Sequence, residues 1–328
     1  MKSNFSFFLV VVSVLFCVGF SPEKKTALFP SHPTQQDSLK IELGRILFYD
    51  VQFSADKQTS CASCHSSYHA FAHTDHALSH GNFDSIGNRN APPLFNLAWR
   101  KIFMRDGAIH RLDLQALAPL HSSREMGGDI DSAIAAVNQN PFYRAASFAA
   151  WGDSSMNKKT FLASIAAFEN SLISMNALYD RYQLGQINLN EKQRRGEDIF
   201  MEQCIRCHTP PLFQNENFYS VWDTLNDKDL GRFNVTQLHT DRHTFMTASL
   251  RNLGFTYPYG HDGRFNSLRV CIESHYIPHD SGREVLKKIL NEDEITAVIS
   301  FLQTLNDTAF VFNKQHQFPR NAFLIKTR

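Results

Sequence analysis

Four of the six cysteines fall in two identical arrangements, each followed by a histidine: Cys61-Ala62-Ser63-Cys64-His65 and Cys204-Ile205-Arg206-Cys207-His208. Two cysteines spaced by two residues place both sulfurs over one haem edge, where each forms a thioether with a vinyl group. The next histidine then reaches the iron from the proximal side. A single motif of this kind has rivals in a zinc half-site and a redox dithiol. Two disulfides are a further use of four cysteines, but a bridge across two residues is strained and leaves each following histidine unexplained. Zinc would require the two distant motifs to pool their ligands. Behind an export signal, the repeated motif predicts two haems c, one on Cys61, Cys64 and His65 and the other on Cys204, Cys207 and His208.

The export signal is the N-terminus itself. Met1-Lys2 leads into a nearly unbroken apolar run from Phe7 to Phe20, shorter than the ~20 apolar residues of a spanning helix. Residues 1–22 are therefore expected to be a signal peptide for export to the periplasm. The alternative is a lipoprotein signal with a lipid anchor at Cys17, although Phe16 before it is bulky for that role. With 328 residues, a formal net charge of +1 and Lys and Arg spread along the chain, no nucleic-acid partner is expected.

The expected fold is mainly α, with two cytochrome c-like domains, each carrying one covalently bound haem c. Residues 26–37 read as a tether. Asp37-Ser38 can cap a helix whose stripe is Leu39, Leu43, Ile46 and Leu47, and this helix runs toward the first Cys pair. Phe161, Ile165, Phe168 and Leu172 keep helical spacing late in the first domain. Asn190 opens a helix through Phe200 into the second Cys pair, and Asn291 to Glu294 form a capping box before Ile295, Val298, Ile299 and Leu302. A helix before each Cys pair and another after it indicate a duplicated unit. The boundary is expected near residues 185–190, giving domains of 26–188 and 189–328. Strand signals are weak, and the loops Gly81 to Pro93 and Thr256 to Gly263 are where site residues would sit.

From Leu43 onward the chain resembles the bacterial di-haem cytochrome c peroxidases and the MauG group, which oxidises tryptophans in a partner protein. The resemblance is carried by Leu43-Gly44-Arg45-Ile46-Leu47-Phe48-Tyr49-Asp50, Arg89-Asn90-Ala91-Pro92, Asp106-Gly107, Gln115-Ala116-Leu117-Ala118-Pro119, Glu125-Met126, Leu250-Arg251-Asn252 and Thr256-Tyr257-Pro258-Tyr259-Gly260-His261-Asp262-Gly263. It implies a peroxide-binding haem in the N-terminal domain and an electron-transfer haem in the C-terminal one. It also implies that Gln115, Pro119 and Glu125 line the peroxidatic pocket. A carboxylate there can carry a proton from the bound peroxide oxygen to the departing one. The resemblance further implies a calcium ion between the domains, held by Asn90, Thr256 and Pro258, and oxygen ligands suit such a cation. The plainer readings are a solvated loop glutamate, a helix-surface glutamine and three turn residues.

Three positions depart from the family pattern. Arg105 stands where a Trp usually precedes the Asp-Gly pair, with Trp99 nearby. The histidine that caps the resting N-terminal haem in peroxidases needing reductive activation is displaced, since Ser79-His80-Gly81 is followed by Asn82. At the distal side of the second haem, where peroxidases have Met and the MauG group Tyr, the count from His261 places His275, with Tyr276 next. Either can bind iron, and packing on a helix is the plain alternative. His69, His73, His76 and His80 recur at about helical spacing and read as an exposed polar face rather than a surface metal site. Cys271 reads as a buried small hydrophobe.

The expected function is reduction of hydrogen peroxide with electrons from a small donor protein, a cytochrome c or a cupredoxin. Two alternatives stand beside it: a MauG-like oxidase acting on a partner protein side chain, and a di-haem electron carrier without catalysis. Gln115 and Glu125 argue against the carrier, which needs no distal acid. A homodimer is left open.

Overall fold

The computed structural model describes residues 35–220, 228–276 and 288–326. The signal segment, Cys17 and the tether up to residue 34 lie outside the described residues.

Two crossed helix pairs frame the molecule. In the first, α1 (Gln35–Tyr49) meets α4 (Lys158–Ser171), which follows α2 (Ile130–Gln139) and α3 (Pro141–Trp151). In the second, α5 (Glu191–Gln203) meets α6 (Glu292–Gln303). Both crossings need glycine. A Cβ at Gly44 would lie 1.8 Å from the Ser164 carbonyl oxygen, and one at Gly196 would lie 2.0 Å from that of Ala297. The helix starts are set by side chains: Asn157, Asn190 and Asn291 each close a capping box, with Thr160, Gln193 and Glu294. The first helix begins at Gln35, so Asp37 and Ser38 lie inside it and not at its cap. Regular strand among the described residues is confined to β1 (Phe218–Tyr219) paired with β2 (Phe245–Met246).

The chain outside these helices repeats itself at an interval of 156 positions. Asn96 and Asn252 both adopt left-handed backbone and open short 3-10 turns, Leu97–Trp99 and Leu253–Phe255. Phe103 then bridges Ile109 as Tyr259 bridges Phe265. Short helices start at Leu112 and at Leu268. The two copies lock together reciprocally: Asn90 N–H donates to the His261 carbonyl at 2.8 Å, and Met246 N–H donates to the Arg105 carbonyl at 2.8 Å. Each of those bonds becomes the other under the same shift. Between the copies sits Ser174, whose backbone exchanges hydrogen bonds with the Asn96 side chain and whose hydroxyl takes one from Asn252.

Contacts cross the boundary expected near residues 185–190. Tyr179 lies in the apolar core of the C-terminal unit, and its N–H donates to the Thr304 carbonyl. Next to it, Asp180 receives a bidentate pair from the fully buried Arg251, at 2.9 and 2.6 Å. The second core therefore begins before residue 185. The end of the chain returns to the first: Phe310 and Val311 join the cluster around Phe48 and Phe71, and Ala322 and Phe323 pack beside Leu43 and Ile46. Buried Asp50 fastens that return, accepting from Tyr143 and from Lys326 of the last helix, Arg320–Lys326.

Candidate haem sites and distal pockets

The first Cys pair occupies a single helical turn, Cys61–Cys64, capped by Ser60, with His65 as its last hydrogen-bonded residue. The His65 Nδ1 lies 2.8 Å from the Phe71 carbonyl oxygen, and Phe71 itself takes left-handed backbone. With Nδ1–H donating to that carbonyl, Nε2 carries the lone pair, which is the tautomer an iron ligand needs. Burial pushes the imidazole down to about 4, so it is neutral at physiological pH.

The second pair repeats this construction at the end of α5. His208 Nδ1 lies 3.1 Å from the Ala248 carbonyl and 3.3 Å from that of Phe213, again a phenylalanine in left-handed backbone. Burial, followed by the neighbouring His275, holds His208 down to about 4. Cys61 and Cys204 are each pushed up to about 12, mainly by burial, and Cys64 and Cys207 are also raised for that reason. A redox dithiol needs the opposite shift, toward thiolate. Among the described residues no three His, Cys, Asp or Glu side chains converge as a metal site.

One cavity takes in most of the second site. Cys204, Cys207 and His208 line it, with Phe200, Leu253, Val298 and Leu302 making apolar wall. His275 also lines it, and its Nδ1 meets the Cys271 carbonyl at 2.7 Å. The neighbouring candidate is placed differently. Tyr276 packs against the C-terminal core, and its hydroxyl accepts from the Leu290 N–H at 2.9 Å. The donor set fits a haem c: two thiols, a half-buried imidazole whose Nδ1 faces carbonyl oxygens, and a second imidazole in the same apolar cavity. Under the 156-position shift His275 corresponds to Pro119 of the first unit, and Pro119 has no side-chain donor to offer a metal.

On the first unit, Gln115 ends the helix Leu112–Gln115, and its amide lies 3.7 Å from the Met104 sulfur. Pro119 is in the next short helix, Leu117–His121, and its carbonyl accepts from the Met126 N–H. Glu125 follows, and burial raises its carboxyl above the ordinary range. Its charge is felt at both Cys61 and Cys64. The loop that bears His80 is tied to Glu125, with Asn82 N–H donating to its carbonyl at 2.6 Å. His80 pairs with Asp84 at 2.5 Å on the surface, and its ring lies tilted against that of His76 at 4.9 Å between centroids. His73, His76 and His80 form a row of adjacent rings.

Asn90, Thr256 and Pro258, the residues expected to hold calcium, all line the second cavity. Arg105 lines that wall with them, and its guanidinium faces both oxygens of Asn90. The guanidinium thus lies 3.4 Å from the two Asn90 oxygens, one of them the side-chain oxygen that the expected calcium would use. Trp99 sits in the 3-10 turn Leu97–Trp99 and is absent from the lining of this cavity.

Over 288 residues the chain is 31% identical to the methylamine utilization protein MauG of Methylophilus methylotrophus, covering 82% of this chain and 83% of that one. The chain belongs to the di-haem cytochrome c peroxidase and MauG family. A family model described as di-haem cytochrome c peroxidase matches residues 38–188. Cytochrome c551 peroxidase of Nitrosomonas europaea is 30% identical over 289 residues, covering 83% of this chain and 81% of its own. Among solved structures, a MauG-like protein associated with microbial copper homeostasis aligns with a TM-score of 0.80, at 25% identity, over 88% of this chain and 94% of that one. Membership in this di-haem family implies two haems c and peroxidase or oxidase chemistry. The relatives' names divide between MauG and cytochrome c peroxidase.

One functional candidate escaped the sequence reading. Glu169 is buried in α4 with one carboxylate oxygen lacking a hydrogen-bond partner, and burial pushes it up to about 8. It is the largest charge influence on Cys61. Its signal was present in the sequence as an acid on the apolar stripe beside Phe168. Between about 4.5 and 8 the unfolded chain ionises this group while the folded protein keeps it protonated, so stability falls as pH rises through that window, by roughly 1.4 kcal/mol per pKa unit. Glu169→Gln should flatten the pH dependence of the holoprotein's melting temperature between these limits. Parallel curves for variant and wild type would show that Glu169 is not held neutral. Arg105, singled out in the sequence for standing at the usual Trp position, lies in the contact with Asn90 described above.

Proposed function

We propose that this chain reduces hydrogen peroxide to water, taking electrons from a small donor protein, a cytochrome c or a cupredoxin. When bound, the haem held by Cys61, Cys64 and His65 supplies the iron at which peroxide is reduced, and the haem held by Cys204, Cys207 and His208 supplies the route for electrons from the donor. The reaction is H2O2 + 2 e− + 2 H+ → 2 H2O. Catalysis is assigned to the unit of residues 26–188 and electron transfer to the unit of residues 189–328. The apolar N-terminus supports export to the periplasm, with lipidation at Cys17 as the tethered alternative. No helix among the described residues is long and apolar enough to cross a membrane.

The observation that carries this reading is the unequal pair at equivalent places, Pro119 in the first unit and His275 in the second. An iron with two strong axial ligands serves electron transfer, whereas one with an open position can bind substrate. His275 presents an imidazole to the second cavity. Pro119 has no side chain that can bind a metal, and the proton donor assigned to this unit is the half-buried Glu125, with Gln115 beside it in the assignment. The surface pairing of His80 with Asp84 supports a first site that needs no reductive opening. That last feature also suits a MauG-like oxidase, but the tyrosine ligand that would favour such an enzyme is not supported, because the Tyr276 hydroxyl is engaged with Leu290.

The assignment of the two motifs is tested by mass. Cys61→Ala and Cys204→Ala should each leave an exported protein lacking one covalent haem, with the other retained. A wild-type holoprotein carrying a single haem, or none, would remove the basis of the reading.

A further inference from the structure

Arg105 stands where the two repeated copies close on one another. Its backbone carbonyl accepts from Met246, while Asn90 bonds across the same seam to His261. Its side chain turns back to Asn90, with Nη2 3.4 Å from Oδ1 and Nε 3.4 Å from the backbone oxygen. Thr256 and Pro258 share this wall. Oxygens such as those of Asn90 suit a hard divalent cation, and a guanidinium can take them through its N–H groups.

The surrounding charges favour the side chain over an ion. Asp106 and Asp229 are committed to Arg89, at 2.7 and 2.5 Å, and Asp262 to Arg264 at 2.7 Å. A guanidinium is cationic at neutral pH wherever it sits in a protein. A divalent ion added here would face this arginine cluster with the nearest carboxylates already engaged.

We propose that the Arg105 guanidinium replaces the calcium ion implied by the family resemblance, holding Asn90 and closing the seam between the two haem units without a metal. The proposal depends on the family placement and not on which substrate the enzyme uses. Its test uses the full-length holoprotein, dialysed against EGTA and then against calcium chloride, with metal content and melting temperature as readouts. The wild type should retain no stoichiometric calcium and melt at the same temperature in both buffers. Arg105→Gln should melt roughly 2–4 °C lower in EGTA and recover in millimolar calcium, and Asn90→Ala added to it should abolish that recovery. A tightly held calcium in the wild type, or a lower melting temperature in EGTA, would overturn the proposal. So would an Arg105→Gln protein as stable as wild type in EGTA. Should Arg105→Gln fail to fold, the wild-type metal content and its melting in EGTA decide the matter alone.

Discussion

Replacing Glu125 with Gln is expected to lower peroxide turnover by about 10²–10⁴-fold while both haems stay attached. Breaking the O–O bond requires a proton on the departing oxygen, and a positioned acid–base group supplies it. Gln keeps the size and hydrogen-bonding capacity of Glu but cannot pass a proton. The environment suits the task, because burial raises the Glu125 carboxyl and so brings its titration nearer the working pH. The variant should show near-wild-type spectra and normal reduction by the donor, so that the loss falls on peroxide cleavage, as stopped-flow mixing with peroxide would show. Turnover within a few-fold of wild type would remove Glu125 from the proton path. A fall in haem content would assign it a structural role.

The second large effect concerns His275. Its removal in His275→Ala should convert the second haem from low-spin to high-spin in the EPR spectrum of the oxidised protein. His275→Met should keep it low-spin and raise its reduction potential, because a Met ligand favours the reduced iron. Tyr276→Phe should leave both properties unchanged, since the hydroxyl lost is the one that accepts from Leu290. If Tyr276→Phe removes the low-spin signal and His275→Ala does not, the distal assignment is reversed.

Much of the site was legible because its chemistry is local. The Cys-x-x-Cys-His spacing, the caps at Asn190 and Asn291 and the stripe of Ile295, Val298 and Leu302 are short-range patterns that packing left intact. Two further helices were equally readable and were missed: Asp129 caps Ile130–Gln139, and Asn140 with Pro141 opens the next. The choice between His275 and Tyr276 was not local. Adjacent residues on a helical turn face different surroundings, and only the packing shows that one meets the cavity and the other the core. The repeat was partly visible in Asn96-Leu97 and Asn252-Leu253, and in Asp106-Gly107 and Asp262-Gly263, at one interval. What those residues do for each other across the seam depends on pairing between distant segments, as do the return of Lys326 to Asp50 and the contact of Arg105 with Asn90.

The central claim is that two electrons held in this protein reduce one peroxide at a site where Glu125 acts. Its most direct test is an anaerobic titration of the fully reduced holoprotein with hydrogen peroxide, following both haems by absorption and EPR. The account predicts that a single equivalent of peroxide oxidises both haems, and that Glu125→Gln reaches the same end point at least about a hundredfold more slowly. Oxidation of only one haem by that equivalent, or equal rates for wild type and Glu125→Gln, would contradict it.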